Sequence, residues 1–160
     1  MRSVGREGSV ETLVDASPEQ VWAVLTDVTR VGEWSHECRE TVWLAGGPAL
    51  PVVGARFRGR NKAGLVRWGR ACEITVADPP RRFVYRTGGG WVGDSTEWSF
   101  DLEPVGSGTR IVQSFQVLSL PRWADLVICL LVPEHQDRRA ALADDLVSLG
   151  RLAGELRTHP

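Results

Sequence analysis

Most of the features by which a sequence announces its chemistry are missing from this chain of 160 residues. Neither charge is in surplus: 19 lysines and arginines stand against 20 aspartates and glutamates. No general electrostatic attraction to nucleic acid or to an anionic membrane is therefore expected. The longest apolar run, residues 126 to 132, holds seven residues, whereas a membrane-crossing helix needs about 20. That length argues against stable membrane insertion. Met1 to Gly8 contain no apolar stretch and do not read as a signal peptide. Cysteine is scarce and odd in number, and Cys38, Cys72 and Cys129 are too scattered to suggest a disulfide framework. The expectation is a cytoplasmic protein in a reducing compartment. No metal is expected, because these cysteines and His36 and His135 lack ligand spacing. No nucleophile elbow, phosphate loop or dinucleotide fingerprint occurs. Gly88-Gly89-Gly90 precedes a strand and reads as a turn, not an anion cradle. No cofactor is implied.

Tryptophan is what the chain has in excess: seven residues against one tyrosine and four phenylalanines. Trp22, Trp34, Trp43, Trp68, Trp91, Trp98 and Trp123 are spread along the whole length. Large aromatics either fill a core or line an apolar cavity. Which of the two applies depends on their strand faces.

Residues 15–34 carry the clearest local signal. Ser17 is a preferred N-cap, Pro18 sits where a helix tolerates proline, and Gln20 completes a capping box. Val21, Trp22, Val24, Leu25 and Val28 form an apolar stripe at helical spacing. Thr29 to Gly32 restarts the chain, and Trp34 is an apolar anchor. Ser9–Val14 reads as a strand before this block. Six more follow, over Glu40–Ala45, Ala55–Lys62, Val66–Ala77, Arg82–Thr87, Ser95–Glu103 and Thr109–Leu118. Gly46-Gly47-Pro48, Asp78-Pro79-Pro80 and Val105 to Gly108 supply turns between them. Connections this short require antiparallel neighbours. From Glu134 to Leu156, Leu142, Leu146, Leu149, Ala153 and Leu156 recur at helical spacing and predict a long amphipathic helix. One domain over 1–160 is expected, with its core over about 9–156 and about 70% of the unfolded surface buried.

An antiparallel sheet with one apolar face must cover that face, and the terminal helix is the element long enough to do so. Alternation assigns the inner face. It groups Thr96, Trp98, Phe100 and Leu102; Ile111, Gln113, Phe115 and Val117; Phe83, Tyr85 and Thr87; Val66, Trp68, Arg70, Cys72, Ile74 and Val76; and Ala55, Phe57, Gly59 and Asn61. Arg56, Arg58, Arg60 and Lys62 fall outside as a solvated stripe. Apolar walls with sparse polar groups have the composition of a small-molecule cavity. The expected lining is Trp34, Phe57, Asn61, Trp68, Arg70, Tyr85, Trp98, Phe100, Gln113, Phe115 and Leu142. Each polar member also has a structural reading. Arg70 can reach solvent at a strand end, Tyr85 can be a satisfied core tyrosine, and Asn61 and Gln113 can bond to one another. The inner face so assigned offers no carboxylate. His36 and His135 read either as surface residues or as bases near the cavity mouth. The apolar segment 120–133 is either a gate, a lipid-facing patch or a dimer contact, or part of a continuous buried helix kinked at Pro133.

The order of elements, with Asp15-Ala-Ser-Pro-Glu-Gln-Val-Trp22, Gly32-Glu-Trp34, Gly54-Ala-Arg-Phe57, Ala77-Asp-Pro-Pro-Arg-Arg-Phe83, Trp98-Ser-Phe-Asp-Leu-Glu-Pro104 and Gly108-Thr-Arg110, resembles the START/Bet v 1-like (SRPBCC) superfamily. Within it the chain is most similar to the bacterial polyketide cyclase/dehydrase-like branch. The resemblance implies an α+β helix-grip fold. In that fold a curved antiparallel sheet of about seven strands wraps a long C-terminal helix, with two short helices after strand one. It implies binding of a hydrophobic small molecule, lipid-like or polycyclic, between sheet and helix, by a monomer or homodimer. The alternative is a polyketide aromatase/cyclase promoting aldol closure and dehydration, with Arg70, Tyr85 and His135 as candidate catalytic residues. A sensor domain using the same cavity is a third reading.

Overall fold

The computed structural model describes residues 3–47, 50–88 and 90–156. Strand β1 (Glu7–Val14) is followed by helix α1 (Pro18–Thr26), a 3-10 turn at Val28–Arg30 and the one-turn helix α2 (Val31–Trp34). Strands β2 (Cys38–Trp43), β3 (Arg56–Ala63), β4 (Val66–Asp78), β5 (Arg82–Gly88), β6 (Ser95–Val105) and β7 (Gly108–Ser119) come next. Helix α3 (Arg122–Leu131), a 3-10 turn at Pro133–Gln136 and helix α4 (Arg139–Glu155) complete the order.

All seven strands join one antiparallel sheet in the order β1-β7-β6-β5-β4-β3-β2. Consecutive strands from β2 to β7 are neighbours in the sheet; short turns join β3 to β4, β4 to β5 and β6 to β7, and the longer segment 44–55 joins β2 to β3. Gly106 supplies the left-handed conformation (φ 60°) that the β6–β7 hairpin needs. The opening strand β1 pairs with the last, β7, so the two edges of the sheet are consecutive in sequence. Six strand spacings of about 4.8 Å separate them if the sheet is flat. The segment α1–α2 must therefore cross its full width, and it closes one end. Ser17 caps α1 as expected: its hydroxyl accepts from the Gln20 N–H, and the Gln20 side chain accepts from the Ser17 N–H.

The core forms where α1 and α4 press on the sheet. Val21, Val24, Leu25 and Val28 meet Ile74, Phe83, Phe100, Leu102 and Ile111, with Leu146, Leu149 and Ala153 from α4. The helix-grip, α+β architecture is thus the observed one. On the outer face, Arg82 pairs with Asp101 and Arg86 with Glu97, both at 2.7 Å, and Arg110 pairs with Glu103. Arg56 and Arg60 of the basic stripe lie against Glu73 and Glu40.

Four expectations are corrected. The terminal helix starts at Arg139 and not at Glu134, because Pro133 opens a separate 3-10 turn and Asp137 is extended (φ −145°). Segment 120–133 is not part of one continuous buried helix, since α3 ends before that turn and leaves Leu126 62% and Leu130 80% exposed. Strand β2 begins and ends two residues earlier than its composition suggests. A bulge between Ile74 and Val76 shifts β4 by one residue, so Ala77, opposite Phe83, takes the inner position expected of Val76. The turns expected at Gly46-Gly47-Pro48 and Gly88-Gly89-Gly90 fall partly on residues 48 and 89, which lie outside the described residues.

Candidate ligand-binding cavity

Beyond the core, the sheet curls away from α4 and encloses a cavity of about 590 Å³. Its inner end is formed by Leu25, Val28, Val31 and Trp34 from the α1–α2 segment, its floor by strands β2 to β7, and its cover by α3 and the first turns of α4. Trp34, Phe57, Asn61, Trp68, Arg70, Tyr85, Trp98, Phe100, Gln113 and Leu142 all line it. Phe115 stands behind the lining, its ring 5.4 Å from that of Trp98. Five tryptophans face the space: Trp34, Trp68, Trp91, Trp98 and Trp123. Trp22 and Trp43 pack edge-on against Phe83 and Phe57 instead. The tryptophans line the cavity without filling it.

Strand alternation missed the carboxylates. Glu37, Asp94 and Asp145 all line the cavity, so the expectation of a wall without acids is corrected. None of the three lies in a strand: Glu37 follows α2, Asp94 precedes β6, and Asp145 belongs to α4. Each holds a cation or an imidazole. Arg70 Nη2 meets Asp94 Oδ2 at 2.6 Å, so Arg70 is held in the wall and does not simply run out to solvent. His36 Nδ1 lies 2.7 Å from Asp145 Oδ2, and the His36 backbone N–H donates to Asp145 Oδ1 at 2.8 Å. His135 Nε2 is hydrogen-bonded to the Glu37 carboxylate. His135 is only 7% exposed and packs edge-on against Trp68. It is a cavity residue, and the surface reading does not hold for it.

Burial and pairing set the protonation of these groups. The hydrogen bond to Asp145 raises the His36 pKa above the ordinary imidazole value, against the effect of partial burial. Burial raises Asp145 itself. Burial also works to raise Glu37, but the His135 hydrogen bond and the charges around it bring the carboxyl below its ordinary value. Burial pushes Tyr85 well above the usual phenol range, and Cys72 up to about 12. Both enter any chemistry here as neutral donors.

Helix α3 roofs the mouth. Trp123, Ala124, Val127, Ile128 and Leu131 face inward, while Leu126 and Leu130 point out. Asp125 tethers it, accepting from the Val4 N–H at 2.7 Å and from Arg6 at 2.8 Å. Trp123 stacks on Trp91, which is 90% exposed, at 5.9 Å. Among the described residues, no helix is long and apolar enough to cross a membrane, and no cluster of His, Cys, Asp and Glu is arranged to hold a metal ion.

The sequence profile of the family described as polyketide cyclase / dehydrase and lipid transport matches residues 6–146. The chain belongs to this family. A solved protein from Thermus thermophilus superposes on it with a TM-score of 0.72 at 20% identity, covering 96% of this chain and 99% of that one. The Zhui aromatase/cyclase from a Streptomyces species gives 0.69 at 16% identity, over 95% and 96%. A polyketide cyclase-like protein from Corynebacterium glutamicum is 29% identical over 96% of this chain and 94% of its own, with a TM-score of 0.58. No curated protein matches the chain in sequence.

Proposed function

We propose that this family member binds one hydrophobic small molecule, lipid-like or polycyclic and bearing oxygen atoms, in the cavity. One observation carries the reading. Trp34 Nε1, Asp94 Oδ1, Gln113 Oε1 and Arg138 Nε are buried without a hydrogen-bond partner in the protein, and all four residues line the cavity. A buried polar group left unmade costs about 1–3 kcal/mol, so such groups call for a partner. Apolar walls supply affinity, and these donors and acceptors orient the guest. Tyr85 adds a neutral hydroxyl in the same wall. Native mass spectrometry of freshly purified protein tests the reading. A noncovalent adduct that gentle activation removes supports it, and bare protein from every host and extract offered counts against it.

A second reading, an aromatase/cyclase, is favoured by the two imidazole–carboxylate pairs. Aldol closure needs a base to take a proton from the carbon between two carbonyls and a cation to hold the resulting enolate oxygen. The enolate carbon then bonds to a second carbonyl carbon, the alkoxide takes a proton, and water leaves. His36 or His135 can accept the first proton, Arg70 faces the developing enolate, and Tyr85 can donate to the alkoxide. The Zhui aromatase/cyclase has this fold, which leaves the chemistry of the present chain to be measured. Incubation with a synthetic poly-β-ketone thioester decides it. A cyclised product one water lighter supports the enzyme, and unchanged ketone with tight binding supports the binder.

A further inference from the structure

Charged groups in the cavity pair off, with one exception. Arg70 meets Asp94, His36 meets Asp145, and His135 meets Glu37. Among the described residues lining the cavity, Arg138 is the cation without an ion pair. Its Nε is buried and unpartnered. The guanidinium carbon lies 5.7 Å from the ring centroids of both Trp98 and Phe115. Glu37 and Arg70 act on it through space with opposite signs, and the Glu37 carboxylate is already held by His135.

The backbone explains why this arginine turns inward. Asp137 and Arg139 pair with each other in solvent at 2.9 Å. Arg138, between them, occupies the N-cap of α4 with no capping side-chain bond. An Asp-Arg-Arg run would normally read as a solvated helix start, yet only its outer members are satisfied there.

We propose that Arg138 is the anion-anchoring residue of the cavity and that the ligand is an amphipathic acid, an apolar body carrying one carboxylate. The proposal rests on the binding reading above and adds the charge of the guest. A guanidinium that rests over the adjoining Trp98 and Phe115 rings, without an ion pair, has a planar fork to offer a carboxylate. In water-poor surroundings that pairing is stronger than at the surface. An uncharged guest of the same shape leaves the fork unpaired and binds less well.

Fluorescence titration with pyrenebutyric acid and pyrenebutanol, which share an apolar skeleton, tests this at neutral pH. The wild-type protein is expected to prefer the acid by about tenfold or more, the scale of a charge-assisted hydrogen bond. Arg138→Met should bring the ratio close to one, with the acid losing far more affinity than the alcohol. Arg138→Lys should keep part of the preference. Arg139→Met, on the solvent side of the same turn, should keep all of it. Equal affinities for acid and alcohol in the wild type overturn the proposal and leave the binding reading standing, as does an acid preference that survives Arg138→Met. Failure of both probes to bind the wild type overturns the two together. A melting curve for each variant accompanies the titration. If Arg138→Met does not fold, the wild-type ratio and Arg138→Gln decide by the same criteria.

Discussion

Asp145 sits on the face of α4 that buries Leu142, Leu146 and Leu149, three residues after the first of them. The helical stripe was legible from those leucines. The carboxylate on the same stripe was not, because an acid in an amphipathic helix usually marks its solvated side. Its position was the available signal: an i+3 step from Leu142 and an i−4 step from Leu149 place it inward. What it does there is hold His36 by two hydrogen bonds. The consequence for pH has a definite sign. A histidine whose folded-state pKa is raised stabilises the fold fully below the unfolded value of about 6.5, and that contribution is lost as pH rises through the raised value. Asp145, raised by burial, also makes stability fall as pH climbs from the ordinary carboxylate range through its own raised value. Asp145→Asn is expected to return the His36 midpoint to the ordinary imidazole range or below. It should also flatten the decline in melting temperature above pH of about 6.5. Proton NMR titration of the His36 ring checks it. A His36 midpoint unchanged in the variant would show that Asp145 is not the cause.

At the scale of elements, strands were legible from their apolar faces, and period-two alternation is interrupted by the register shifts at Cys38/Glu40, Ile74/Val76 and Ser95/Thr96. Val76 was misplaced for that reason alone: the extra residue in β4 carries no compositional mark. The ends of helices were harder. Glu134 to Arg138 is polar and helix-compatible, yet Pro133 restarts the backbone and α4 begins five residues later than its apparent start. Packing between α4 and β1 depends on one small residue. A Cβ added at Gly150 would overlap the side chain of Val14. In an exposed helix interior, glycine to alanine gains about 1 kcal/mol. Here Gly150→Ala should instead destabilise by about 1–3 kcal/mol, the range for overpacking a close contact. Chemical denaturation reads this directly, and a stabilised variant would mean that α4 stands farther from β1 than described. Helix α3 was left open by its sequence, since an apolar segment of that length fits a buried helix as well as a roof. Ala124, Val127, Ile128 and Leu131 belong to the cavity lining and Leu126 and Leu130 do not, which makes α3 the cover of the mouth.

For the whole molecule, topology makes the cavity. Because β1 and β2 lie on opposite edges of the sheet, the capped helix and Trp34 must span it and close one end, leaving the other end to α3. The sequence motifs that carried the family resemblance are mostly turns and anchors of this frame. They located the fold, and strand alternation located most of the lining. Of the polar groups that distinguish this cavity, Glu37, Asp94 and Arg138 come from loops and a helix cap, where no periodicity points inward, and Asp145 comes from the apolar stripe of α4, where its charge masks the signal. Filling the space separates the cavity's role from that of the frame. Asn61 lines the cavity and its side chain makes no hydrogen bond among those described, so Asn61→Trp should occupy the volume with little loss of stability. The most direct measurement is a pair of calorimetric titrations with pyrenebutyric acid, on wild type and on Asn61→Trp, with melting curves to confirm that both fold. Saturable one-to-one binding by the wild type, weakened about tenfold or more in the folded variant, is the predicted result. Equal binding by both proteins, or no heat of binding in the wild type, would contradict the claim that this cavity is where the protein works.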